Sequence, residues 1–159
     1  MTDLEKRRDT ALLSLLGKIE DRGWAFVSVH PTLDEPGIEF SYTVGLTALG
    51  HPELAIYGLP GSTAGTLLNI VGERIKDHGA QLNAGDRLQD VIANDLDIAV
   101  LAMSDLSDLT QVHAVYGVVD AALQLVWPGR NGRMPWESGY SIKLEAQPLL
   151  GPTPGDAAP

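Results

Sequence analysis

The sequence predicts a single α+β domain, in which two to three helices pack on a mostly antiparallel or mixed sheet. Three observations predict it. Two segments carry apolar residues at helical spacing, and several short segments alternate like strands. The two kinds also follow one another without the strict βα alternation of a parallel doubly wound fold. A length of 159 residues suits one domain of about 100–200 residues. The domain is expected to span residues 1–151. Residues 152–159, with three prolines and little to bury, read as a disordered tail.

Thr2 and Glu5 have the spacing of a capping box. Leu12, Leu15, Leu16 and Ile19 then form one apolar stripe, and Gly23 supplies a stop. Trp24–His30 reads as a strand with Trp24, Phe26, Val27 and Val29 inward, and Ile38–Leu46 as its hairpin partner across a turn with Pro31, Pro36 and Gly37. Leu54–Gly58 is a third strand. Ser62 or Thr63 can cap a second helix whose core face is Ala64, Leu67, Leu68, Val71 and Ile75, ending at Gly79. Gly65 and Gly72 lie inside this helix, seven residues apart on nearly one face. They imply either close packing against another backbone or tolerated surface glycines. Arg87–Ile92, Asp97–Met103, Ala121–Trp127 and Tyr140–Leu144 read as strands. Leu106–Tyr116 reads as a helix capped by Ser104 or Asp105.

Composition excludes several functions. The chain has no cysteine, which removes disulfides, thiolate metal sites and a cysteine nucleophile. Lys and Arg total 11 against 21 Asp and Glu, a net charge of −10, so nucleic-acid binding is not expected. No apolar run approaches the roughly 18 residues of a membrane span. His30, His51, His78 and His113 lack metal-ligand spacing, so neither metal nor cofactor is expected. There is no Gly-x-Ser-x-Gly elbow, Walker pattern or Gly-x-Gly-x-x-Gly.

Four groups of residues remain as candidates. In His51-Pro52-Glu53 an imidazole and a carboxylate two positions apart share one side of an extended strand and can enter one pocket; the alternative is that both serve a turn. Tyr42 and Phe40 share an aromatic strand face. Thr43 and Ser41 share a hydroxylic one, either ligand-facing or half-solvated. The turn Gly58–Thr63 opens a helix and could receive an anion, or be a plain capped start. In the loop Gly129–Gly139, Arg130 and Arg133 could grip an anion while Trp136 stacks on a ring; alternatively Trp136 plugs the core and both arginines are solvated.

Several stretches together resemble a family of bacterial and bacteriophage proteins, catalogued as domain of unknown function 4262. They are Gly23-Trp24, Phe40–Leu46, His51-Pro52-Glu53-Leu54, Gln124–Pro128, Pro135-Trp136-Glu137 and Gln147–Gly151. Where the family commonly has His-Gly-Trp, this chain has Arg22-Gly23-Trp24. The resemblance implies a small cytoplasmic protein of bacterial or phage origin, and no particular activity.

The leading expectation is a binding protein that holds a small anionic or ring-bearing ligand beside the sheet. Tyr42, Thr43, His51 and Glu53 would contribute from the strands, and Arg133 and Trp136 would close over them. The alternatives are a hydrolytic enzyme with His51 as base and Glu53 or Tyr42 orienting it, and a protein–protein interaction module. A homodimer is a further expected partner arrangement.

Overall fold

The computed structural model describes residues 2–154. The expected disordered tail falls mainly on 155–159, outside the described residues. Helix α1 (Asp3–Arg22) opens on the Thr2–Glu5 capping box and ends at Gly23, whose φ of 106° is the left-handed conformation glycine adopts freely. Strands β1 (Ala25–Val29), β2 (Phe40–Val44) and β3 (Glu53–Tyr57) form an antiparallel meander, with a 3₁₀ turn at Leu46–Leu49 between the last two. Helix α2 (Gly61–His78) follows, then β4 (Arg87–Leu88), β5 (Ile98–Ala102), α3 (Thr110–Tyr116) and β6 (Ala122–Val126).

The six strands make one mixed sheet in the order β1-β2-β3-β6-β5-β4. Its two antiparallel halves meet at a single parallel pairing, β3 with β6, in which Leu54 lies opposite Leu123. Helix α2 covers one face, where Ala64, Leu67, Leu68, Val71 and Ile75 pack on Leu54, Ile56, Ile98, Val100, Leu123 and Leu125. The other face is covered in two parts. Helices α1 and α3 lie over Ala25, Tyr42, Val44, Ala55 and Tyr57. Met134, Trp136 and Leu149, none of them helical, lie over Ala99, Leu101 and Val126.

Four expected elements differ. The strand expected at Arg87–Ile92 stops at Leu88, because Asp90 turns into the left-handed region at φ 62°. The helix expected from Leu106 begins at Thr110; Asp105 accepts from the Ser107 amide and caps the preceding turn instead. Tyr140–Leu144 is not a strand: it pairs with none of the six strands, and Leu144 opens a 3₁₀ turn over Leu144–Ala146. Neither Ser62 nor Thr63 caps α2. The helix begins at Gly61, whose amide donates to Glu39 from the end of the β1–β2 connection. That internal carboxylate takes the place at the helix start where an anion was considered.

The paired glycines of α2 meet side chains rather than a backbone. A methyl group on Gly72 would come within 2.8 Å of the Trp24 indole, and one on Gly65 within 2.4 Å of the Phe26 ring. Phe26 and Val29, expected inward, are 36% and 37% exposed because β1 is an edge strand. No helix of the described residues is long and apolar enough to cross a membrane.

Candidate functional site

Thr43, His51 and Glu53 come together at the turn between β2 and β3. Glu53 is fully buried at the start of β3 and accepts five hydrogen bonds. They come from the hydroxyls of Thr43 (2.8 Å) and Thr47 (2.6 Å) and from the amides of Gly45, Leu46 and Thr47. Gly45 permits this approach: its φ is 132°, and a methyl group there would strike the Gly23 carbonyl. The carboxylate thus caps the 3₁₀ turn and meets backbone dipoles, with no Lys or Arg paired to it among the described residues.

His51 is committed in the same way. Nδ1 lies 2.8 Å from the Pro52 carbonyl, to which it must donate, and Nε2 accepts from the Leu82 amide at 3.1 Å. These partners define the neutral tautomer and leave no ring lone pair for proton abstraction. The imidazole edges a shallow hollow of about 290 Å³ with Thr47, Pro52 and Val119, but its nitrogens face the protein.

The other expected site residues lie elsewhere. The Tyr42 hydroxyl accepts from the Gln111 amide at 3.0 Å and so positions the start of α3. Trp136 packs against the Ala99–Leu101–Val126–Met134 cluster at the far half of the sheet. Arg133 is exposed beside it, and the neighbouring Glu137 pairs with Arg87 at 3.6 Å. The six residues therefore do not surround one hollow. Ser41 and Thr43, on the hydroxylic face of β2, are both fully buried on the side that carries α2.

A groove of about 570 Å³ lies beside the sheet, between the β1–β2 connection, the start of α3 and the C-terminal segment. Phe40 and Tyr57 line it with rings stacked 5.0 Å apart and inclined by 18°. Polar groups on its walls are His30, Glu35, Ser107, Asp108 and Thr110. The Tyr57 hydroxyl donates to Asp108 Oδ2 at 2.9 Å. Burial, reinforced by that bond and by the charges of Asp108 and Asp105, holds the Tyr57 hydroxyl well above the ordinary tyrosine range. It remains a donor and leaves the exposed Asp108 Oδ1 without a partner among the described residues. His30 Nδ1 lies 3.3 Å from Glu39.

Sequence reasoning did not bring Phe40, Tyr57 and Asp108 together as a group, and Tyr42, which it singled out, does not line the groove. The groove's walls come from segments more than a hundred residues apart, and only the aromatic alternation at Phe40 and Tyr42 pointed toward it. It also missed the role of two buried glutamines. Gln124 on β6 donates to the Pro148 carbonyl and accepts from the Leu150 amide. Gln147 reciprocates by bonding both the amide and the carbonyl of Trp127. Together they hold the segment that closes one end of the groove.

Fold and groove define a single α+β domain with a mixed six-stranded sheet and a lateral, aromatic-floored hollow of the size that holds small molecules. The chain belongs to the family described as domain of unknown function DUF4262, whose family model matches residues 18–141. No curated protein and no solved structure matches the chain significantly.

Proposed function

We propose that this protein is a binding protein for a small ring-bearing molecule that carries a positive charge, held in the groove over Phe40 and Tyr57. The observation that carries the reading is the stacked pair Phe40–Tyr57 beside Asp108, whose Oδ1 has no partner among the described residues. A flat ring gains area and favourable quadrupole contact against this pair, chiefly at the partly exposed Phe40, since Tyr57 is 3% exposed. A cation gains a charge-assisted hydrogen bond to a carboxylate already oriented by Tyr57. The formal charges on the walls are the carboxylates of Glu35 and Asp108, which oppose the anionic ligand considered from the sequence; Arg130 and Arg133 are not among the lining residues. The hydrolytic reading lacks this support, because His51 and Glu53 spend their polar atoms on the β2–β3 turn.

Thermal-shift and calorimetric titrations with tyramine and tryptamine, each against its ring-matched carboxylic acid, test the reading. The amines should stabilise the protein and the acids should not. Phe40→Ala should abolish binding, and Asp108→Asn should remove the preference for the amine. Equal response to both charge types, or binding that survives Phe40→Ala, would sink the proposal.

A further inference from the structure

The two edges of the sheet are unlike. At one end β4 has only two residues and carries Arg87, the short, charged form by which edges avoid pairing. At the other, β1 presents Ala25-Phe26-Val27-Ser28-Val29, with no charge, proline, glycine or bulge against β2. Nothing in the strand itself discourages another strand from adding to it.

The flanks of this edge have opposite charge. Before the strand, a concavity of about 420 Å³ runs beside Trp24, Ala25 and Phe26 and contains Lys18, Asp21 and Arg22. The Lys76 amino group donates to the Arg22 carbonyl and lies 5.9 Å from the Trp24 ring centre, adding a further cation. After the strand come Asp34, Glu35 and Glu39, the first two exposed. Lys18, Arg22 and Lys76, against the one carboxylate of Asp21, thus lie at one end of β1 in a chain whose net charge is −10, and the connection that follows the other end carries Asp34, Glu35 and Glu39.

We infer that β1 is the docking edge for a second copy of this chain, paired antiparallel about a two-fold axis at Val27. Full overlap of the five residues sets Val27 opposite the partner's Val27, Phe26 opposite the partner's Ser28, and Ala25 opposite the partner's Val29. Each large side chain then faces a smaller one, apart from the valine pair on the axis. The same antiparallel sense brings the basic flank of each copy to the acidic flank of the other, whereas a parallel pairing would set like charges together. Such a contact is isologous and closed, so it ends at two copies and joins two six-stranded sheets into one.

Sedimentation velocity over a dilution series, with the full chain, is the first measurement, and a concentration-dependent dimer is expected. The double reversal Lys18→Glu with Arg22→Glu changes exposed charges and should raise the dissociation constant about tenfold or more. Adding Asp34→Lys and Glu35→Lys should restore the dimer. Because the chain has no cysteine, Val27→Cys provides a single thiol. Directly opposed antiparallel residues have Cα atoms about 4.5–5.5 Å apart, within disulfide reach, so mild oxidation should link two copies. Arg87→Cys on the other edge should stay monomeric under the same oxidation. A chain that remains monomeric at every concentration overturns the inference. So does a dimer that ignores the charge reversals, or one that cross-links through Arg87→Cys and not Val27→Cys.

Discussion

The hydroxyl of Thr43 donates to Glu53 at 2.8 Å while accepting from the Leu54 amide at 2.9 Å, so one side chain ties β2 to both the side chain and the backbone of β3. Removing the carboxylate strands five buried or half-buried donors at once. Glu53→Ala should therefore lose on the order of 4 kcal/mol, and Thr43→Val about 1–3 kcal/mol. Urea denaturation at neutral pH measures both. A loss under about 1 kcal/mol for Glu53→Ala would mean that water replaces the carboxylate at no cost, contrary to its burial.

His51 links the β2–β3 turn to the segment after α2 through the Leu82 amide. His51→Ala should destabilise by about 1–3 kcal/mol, because that amide loses its acceptor in a buried place. The local signature is faster hydrogen exchange at Leu82, with exchange in α1 changing only as global stability changes. Unchanged protection at Leu82 would remove the imidazole from this role.

Alanine at either α2 glycine should gain about 0.8–1 kcal/mol in helix propensity, and packing decides the sign. Trp24 is 2% exposed and held by its bond to Asn69, so it has nowhere to move. Gly72→Ala should be destabilising by about 1–3 kcal/mol. Phe26 sits at the sheet edge and can swing outward, so Gly65→Ala should be near neutral. Thermal unfolding of the two variants side by side reads the contrast, and equal shifts would contradict it.

All four tyrosines are held above their ordinary range, chiefly by burial. Below about pH 10 both folded and unfolded chains keep these protons, and the stabilisation is fully present. Above that pH the unfolded chain releases protons that the folded chain retains, so stability should fall as pH rises. Tyr57→Phe should flatten this fall and cost about 0.5–1.5 kcal/mol at neutral pH through the lost bond to Asp108. Urea midpoints from about pH 8 to about pH 11, for wild type and Tyr57→Phe, give both quantities.

Both longer helices were legible in the sequence because their signals are local: the Thr2–Glu5 capping box, Gly23 and Gly79 as stops, and an apolar stripe on α2 that is buried throughout. The strands were legible in place, though not in order, since nothing near β3 announces that it pairs with a strand nearly seventy residues later. Tyr140–Leu144 misled because alternation reports what a segment can do, not whether the fold sets a strand beside it. The groove was the least legible feature. His51 and Glu53 have the residue types of a catalytic pair, and only their partners show that they hold a turn. Asp108 had no motif around it; its importance comes from Tyr57, fifty-one residues earlier.

The lone parallel pairing of β3 with β6 divides the molecule in an unexpected place. Everything up to α2 makes one self-paired three-stranded unit, and everything from β4 onward makes another. A backbone nick at the exposed Gln81 would break no rung of either ladder. The chain is in this sense two pieces held together by one parallel pairing and by α2, which packs across both.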